Sequence, residues 1–304
     1  MQVLITGGTG FVGHALCPRL ATAGHEVVIL TRQQNARLPE GARSAVTRLD
    51  GLDAADFGGV INLAGAPIGD ARWTESRKRL LLDSRVQTTA HLVEWMGRAR
   101  QPPPVLVSAS AVGYYGEQGD RPIDEDTPPT PGFTHELCAA WEREAGKASA
   151  LGVRVCVMRI GVVLDRDGGA LAKMLPAFRM GAGGRLGDGR HYFPWIHRED
   201  VAAIGQWLLE NPQAGGPYNA GAPNPVTNAE FTRALGQALG RPTLLPMPEA
   251  ALKLLFGEMA ELLLVSDRML PGRLLDQGFR FKYPKLDDAL AAIFGRSHRR
   301  GVRR

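Results

Sequence analysis

A run of glycines beginning six residues into the chain restricts the folds open to it. Val3-Leu4-Ile5 is a short apolar run of the kind that makes a strand buried on both faces, and Thr6-Gly7-Gly8-Thr9-Gly10-Phe11-Val12-Gly13 stops it at once. The stretch satisfies G-x-G-x-x-G at Gly8, Gly10 and Gly13, and T-G-x-x-G-x-x-G at Thr6, Gly7, Gly10 and Gly13. Glycine at these spacings turns the chain sharply, lets backbone N–H groups approach a pyrophosphate and packs the next helix on the strand. A helix is expected next, apolar through Phe11, Val12, Ala15, Leu16 and Leu20, stopped by Gly24 and bent at Pro18, whose N–H is missing. Val27-Val28-Ile29-Leu30 supplies a second buried strand. Strand, glycine loop, helix and strand together predict a dinucleotide site; the alternative is a glycine-rich connection without a ligand.

The end of the second strand selects the cofactor. An acid there would hold the ribose 2′-OH of NAD, whereas an arginine suits the 2′-phosphate of NADP. The chain reads Thr31-Arg32. A guanidinium carries a permanent charge and a planar donor fork, so NADP(H) is expected in preference to NAD(H).

Other classes are excluded by composition. The net charge of +5 comes from the last nine residues, which hold five arginines and no acid; the remaining basic side chains equal the 31 acids. A neutral body argues against a nucleic-acid partner, and residues 296–304 read as a basic disordered tail. Cys17, Cys138 and Cys156 are far apart and outside any Cys/His cluster, which predicts neither a disulfide framework nor a metal site. The N-terminus has no basic segment followed by a long apolar one, and no apolar run is long enough to span a bilayer. The expectation is a cytoplasmic monomer or homodimer acting on a small molecule.

Val60-Ile61-Asn62-Leu63-Ala64-Gly65 reads as another buried strand ending in small residues, over which a dinucleotide can lie. Residues 73–100 read as helix, ended by Pro102, Pro103 and Pro104, and Val105-Leu106-Val107 resumes the strand series into Ser108-Ala109-Ser110-Ala111-Val112-Gly113-Tyr114-Tyr115-Gly116. Thr227-Asn228-Ala229-Glu230 reads as a helix start.

With these segments in view, the chain resembles the extended or atypical branch of the short-chain dehydrogenase/reductase superfamily. Met158-Arg159-Ile160-Gly161-Val162-Val163-Leu164 resembles the one strand that follows the superfamily's catalytic helix, Gly187-Asp188-Gly189 through Trp195-Ile196-His197-Arg198-Glu199-Asp200-Val201 is similar to a stretch of sugar-nucleotide epimerases, and Tyr218-Asn219 to their returning strand. Asn62 through Ile68, Arg72-Trp73-Thr74, Gly113 through Gly116, Phe133 through Cys138, Lys173 through Pro176 and Phe193 through His197 resemble a bacterial epimerase-like family with a C-terminal domain of unknown function.

The resemblance implies a Tyr-x-x-x-Lys pair, one turn apart on a helix, in which the tyrosine handles the substrate proton and the lysine lowers its pKa and holds the nicotinamide ribose. Here those positions are Thr134 and Cys138. A threonine hydroxyl is too weak an acid and a thiol carries no fixed positive charge. The catalytic candidates left are Ser110, Tyr114 or Tyr115, and Arg85 on the preceding helix, with Arg85 or the cofactor lowering the tyrosine pKa. Along the cofactor the resemblance puts Gly7, Thr9, Gly10, Phe11, Val12, Gly13, Thr31, Arg32, Leu63, Ala64, Gly65, Arg85, Cys138 and Arg159. Glu117, His135, Arg190 and Trp195 are substrate candidates, and His197 and Asp200 tie the C-terminal part to the core.

The expected fold is α/β, a Rossmann-type doubly wound parallel sheet with a smaller C-terminal α/β capping lobe. Residues 1–165 and 195–221 form the dinucleotide-binding core, and 166–194 with 222–295 the lobe. Two functions compete. One is an NADP(H)-dependent oxidoreductase or epimerase acting by hydride transfer on a small carbonyl, hydroxyl or sugar-derived compound. The other is a non-catalytic dinucleotide sensor or scaffold, suggested by the loss of the Tyr and Lys.

Overall fold

A computed structural model describes residues 1–295; the basic tail at 296–304 lies outside the described residues. The elements run β1 (Gln2–Thr6), α1 (Gly13–Thr22), β2 (Glu26–Leu30), β3 (Ala42–Val46), β4 (Gly59–Asn62), α2 (Glu75–Arg98), β5 (Val105–Ala111), β6 (Pro122–Ile123), α3 (Phe133–Gly146) and β7 (Arg154–Ile160). They continue with β8 (Val162–Asp165), α4 (Gly169–Arg179), β9 (Tyr192–Phe193), β10 (Trp195–His197), α5 (Arg198–Glu210) and β11 (Gly216–Ala220). The C-terminal part adds β12 (Val226–Thr227), α6 (Asn228–Leu239), α7 (Glu249–Phe256), α8 (Glu261–Leu264), β13 (Arg268–Met269), α9 (Gly272–Asp276) and α10 (Leu286–Phe294).

Seven strands form one parallel sheet in the order β3-β2-β1-β4-β5-β7-β11. The order reverses direction between β1 and β4, and that switch point opens a crevice at the strands' carboxyl ends. The apolar run of β1 explains its central place. Val3 and Ile5 face one layer with Leu16 and Leu20 of α1 and Ile204 and Leu208 of α5, while Leu4 faces the other with Leu92, Trp95 and Met96 of α2. The helix α1 continues through Pro18, and Gly24 follows its end with φ +83°.

Three expectations need correction. No α-helix separates β2 from β3 or β3 from β4, so the βαβ repeat is interrupted there. Gly41, at φ +81°, lets the first connection pass under α1, since a Cβ there would lie 2.8 Å from the Cys17 carbonyl oxygen. The stretch Met158–Leu164 is two strands, broken at Gly161. A side chain at Gly161 would collide with the Pro194 carbonyl; the Gly161 amide still bonds Ala220 at 3.0 Å, after which β8 leaves the main sheet and pairs with β10. Of the returning segment, only β11 joins the seven-stranded sheet.

A second core lies between α4, α6, α10 and the β8–β10 pair, built on Leu171, Leu175, Trp195, Phe231, Leu235 and Leu290. Its α6 begins with a capping box, in which Thr227 accepts from the Glu230 amide and Glu230 from that of Thr227. Asp200 joins this lobe to the core by accepting the Lys282 and Tyr283 amides at 2.7 and 3.0 Å, and the His197 ring packs 4.0 Å from that of Tyr283. Among the described residues, no helix is long and apolar enough to cross a membrane.

Candidate functional site

The glycine loop joins β1 to α1 at the switch point. Gly7 sits at φ +69°, and a Cβ there would lie 2.6 Å from the Leu63 carbonyl oxygen, so the loop presses directly on the end of β4. Gly13 begins the helix against Gly8, whose carbonyl a side chain at 13 would strike. The Gly10 amide turns back to Gly7 at 2.9 Å, while those of Phe11, Val12 and Gly13 find no protein acceptor among the described residues. Free N–H groups at the positive end of a helix suit a phosphate. The Phe11 ring packs on Gly168 and Gly169 and beneath the Arg198 guanidinium, 5.0 Å away. Thr9 is half-buried. At the end of β2, Thr31 accepts the Gln33 amide at 3.3 Å, and Arg32 is exposed with no ion pair among the described residues.

A polar hub missed by the sequence reading fixes the switch point. Asn62 is fully buried at the end of β4; it accepts from the Thr6 hydroxyl at 2.6 Å and the Ala64 amide at 3.3 Å, and donates to Thr89 of α2 at 2.8 Å. Its one signal in the sequence was a lone amide closing an apolar strand. Leu63 and Ala64 are half-buried beyond it, and Gly65 is exposed beside Arg85, whose Cζ would lie 2.9 Å from a Cβ at that glycine. Arg85 donates to the Leu81 and Ala66 carbonyls at 2.9 and 3.1 Å and lies 5.3 Å from the Trp141 ring. Burial, and then the charge of Arg77, lower its pKa.

The β5–α3 region departs from expectation. Ser110 is turned inward, buried, and donates to Glu142 at 2.7 Å. Glu142 is gripped by Arg159 through two 2.9 Å bonds, and Arg159 is 4 % exposed and also donates to the Tyr115 hydroxyl at 2.9 Å. Tyr115 is fully buried and donates to Asn219 at 2.6 Å. Burial raises its pKa to about 12 despite Arg159, the reverse of the lowering a proton donor needs. Cys138 is buried beside Ser110, with its thiol pushed up to about 11 by burial and then by Glu142. Ser110, Glu142, Arg159 and Tyr115 therefore form one hydrogen-bonded internal scaffold, with Cys138 buried beside it. The signal that links them, Glu142 with Arg159, is spread over 17 residues of sequence.

Tyr114 and His135 remain half-buried. The Tyr114 ring covers the Arg159 guanidinium at 3.4 Å and meets the His135 ring edge-on at 5.2 Å. His135 Nδ1 lies 2.7 Å from the Tyr114 carbonyl oxygen. A carbonyl only accepts, so Nδ1 carries a proton and Nε2 is the ring nitrogen left toward the site. Thr134 packs against Gly113, where a Cβ would lie 3.0 Å away. Trp195, expected in the pocket, is instead buried in the lobe core with its indole N–H on the Asn224 carbonyl at 3.2 Å. Glu117 accepts the Gly119 and Ser266 amides at 2.8 and 3.1 Å, joining the loop after β5 to the lobe. Arg190 is exposed in the turn capped by Asp188.

The sequence pattern of the NAD dependent epimerase/dehydratase family matches residues 3–221, and that of a domain of unknown function, DUF1731, matches residues 247–293. An epimerase family protein of Arabidopsis thaliana, the chloroplastic SDR39U1 homolog, is 41% identical over 96% of this chain and 86% of its own length. The epimerase family protein YfhF of Bacillus subtilis is 36% identical over 96% and 98%. The crystal structure of human SDR39U1 (isoform 2) with NADPH superposes with a TM-score of 0.88 at 37% identity, covering 98% of this chain and all of that one. The UDP-glucose 4-epimerase of Thermus thermophilus shares the fold, with a TM-score of 0.75 at 21% identity over 97% and 98% of the two chains. The glycine loop at the switch point, the seven-stranded sheet and the C-terminal lobe thus have one common explanation: the chain belongs to the NAD dependent epimerase/dehydratase family, as an NAD(P)-dependent enzyme of the extended short-chain dehydrogenase/reductase type with a DUF1731 lobe.

Proposed function

We propose that the protein is an NADP(H)-dependent oxidoreductase or epimerase. It acts by hydride transfer on a small carbonyl, hydroxyl or sugar-derived substrate, in the crevice between the sheet and a capping lobe of residues 166–194 and 222–295. The observation that carries this reading is the conjunction of amides at the start of α1 that have no acceptor, and an Arg32 at the end of β2 that has no ion pair, among the described residues. Gly7, Thr9, Gly10, Phe11, Val12 and Gly13 hold the pyrophosphate, Thr31 and Arg32 the 2′-phosphate, and Leu63, Ala64 and Gly65 the floor under the nucleotide. The human relative crystallised with NADPH supports the choice of cofactor. When bound, the cofactor accepts or returns the hydride. Proton transfer falls to the Tyr114–His135 pair, with His135 Nε2 taking the hydroxyl proton as the carbonyl forms. Free cysteines, all buried, support a reducing compartment such as the cytoplasm, and the protein works as a monomer or homodimer.

Calorimetric titration with NADPH and NADH tests the cofactor. NADPH is expected to bind at least tenfold more tightly, and Arg32→Asp to abolish that preference; equal affinity for the two nucleotides refutes it. The second reading, a non-catalytic dinucleotide sensor, draws support from Thr134 and Cys138 standing where the tyrosine and lysine are missing. It expects tight NADPH binding with no hydride exchange on any carbonyl of a broad panel.

A further inference from the structure

The segment from Ala66 to Asp70, which runs from the end of β4 toward α4, is held by side chains. Arg85 donates to the Ala66 carbonyl at 3.1 Å, Arg77 to that of Pro67, Trp73 to that of Ile68 at 3.2 Å and Lys173 to that of Gly69 at 2.8 Å. Ser84 accepts the Ala66 amide at 3.0 Å. Lys173 is neutralised by Asp70 at 2.6 Å. The two arginines are not neutralised: neither forms an ion pair with a carboxylate among the described residues.

They lie eight residues apart, about two turns along one face of α2, and their heads meet consecutive peptide units. Both are half-buried, and Arg77 Nε is buried with no hydrogen-bond partner among the described residues. Arg85 spends two N–H groups on carbonyls and Arg77 one, which leaves most of each donor fork unused. Gly65, lacking a Cβ, makes room for the Arg85 guanidinium at the carboxyl end of β4. Two cations drawn from water toward each other are costly without an anion between them. Pinning a loop does not require that cost, since Trp73 and Ser84 pin the same loop without charge. Paired guanidinium forks match the oxygens of a carboxylate or phosphate.

We propose that Arg77 and Arg85 form an oxyanion-recognition pair, and that the substrate of this site carries a carboxylate or phosphate bound beside Gly65. The proposal rests on the hydride-transfer reading only for calling that ligand the substrate. The cofactor's pyrophosphate has its own place at the start of α1, whereas Arg85 lies against Trp141 of α3, the helix that also carries His135.

Inorganic phosphate and acetate serve as probes, titrated into the protein alone and saturated with NADP+. The wild type is expected to bind at least one of them, and Arg85→Gln and the Arg77→Gln/Arg85→Gln double variant to bind it at least fivefold and twentyfold more weakly. Arg85→Lys, which keeps the charge but not the fork, should fall between and guards against misfolding as the cause. Any anion held at the glycine loop contributes equally to all of them. NADPH affinity within threefold of wild type in Arg85→Gln assigns the oxyanion to the substrate; a tenfold loss of NADPH assigns it to the cofactor and removes the substrate claim. Equal binding of both probes by wild type and double variant, or binding of neither, overturns the pair. Failure of the wild type to bind NADPH would instead sink the hydride-transfer reading and leave the phosphate comparison standing.

Discussion

Replacing Glu142 by glutamine keeps the volume of the side chain and removes its charge. Arg159 then faces a neutral amide from a position only 4 % exposed, and the two 2.9 Å charge-assisted bonds between them are lost as such. Ser110 loses the carboxylate that accepts its proton at 2.7 Å. Removing one partner of a buried ion pair costs about 3–5 kcal/mol, because the other charge stays behind. With an unfolding entropy of roughly 2 cal/mol/K per residue, a chain of this length should melt about 5–8 °C lower. Urea unfolding followed by tryptophan fluorescence, with calorimetry for the midpoint, measures both. The cause is isolated by adding Arg159→Met, which deletes the stranded charge. The double variant should be more stable than Glu142→Gln alone, although Tyr115 and the Glu125 carbonyl lose a donor. A single-variant loss below about 1 kcal/mol, or a double variant no better than the single, refutes a buried ion pair as the support of this scaffold.

Asp267 is buried, its carboxyl raised to about 8 by burial and then by the charge of Glu117, and its Oδ1 has no hydrogen-bond partner among the described residues. The unfolded chain therefore releases this proton near pH 4 while the folded protein keeps it to about pH 8, so stability falls as pH rises through that window, by up to about 1.4 kcal/mol per pH unit. Asp267→Asn should flatten this slope in denaturation curves taken from pH 5 to 8, and an unchanged slope counts against the assignment. Cys17 and Cys138 are pushed up to about 12 and 11 by burial, and Cys156 is raised by it as well. Iodoacetamide at pH 8 should label none of the three in the native protein and all of them in guanidinium, read by intact mass; rapid native labelling of Cys138 would mean that the scaffold opens.

The dinucleotide half was legible because its signals are local. A three-residue apolar run, glycines at fixed spacing and an arginine at the next strand end all fall within the first 32 residues. The capping box at Thr227 and Glu230 was legible for the same reason. β3 was not, since Arg43, Ser44 and Ala45 lie exposed on an edge strand and lack an apolar face. The break at Gly161 hides within a continuous apolar stretch, because what ends the strand is the Pro194 carbonyl, far along the chain. The inward turn of Ser110 and Tyr115 depends on Glu142, Arg159 and Asn219, partners 32 to 104 residues away. Residue type gave their chemistry; only the tertiary partners gave their direction.

The attachment of the lobe has an evolutionary consequence. Asp200 holds the amides of Lys282 and Tyr283, and Glu125 those of Asn219 and Arg273, while Asn219 donates to the Leu270 carbonyl. The contacts that cross to the lobe, from Asp200, from Glu125 to Arg273 and from Asn219, read main chain on the lobe side. Apart from Leu274 and Phe279, which pack in the main core, and Arg273, Lys282 and Tyr283, whose side chains also reach across the joint, side chains along 270–283 are thus free to change so long as the backbone keeps its path. A lineage can recast the exposed face of the lobe while inheriting the joint unaltered, and divergence should concentrate in the lobe's exposed side chains before it touches Glu125, Asp200 or Asn219.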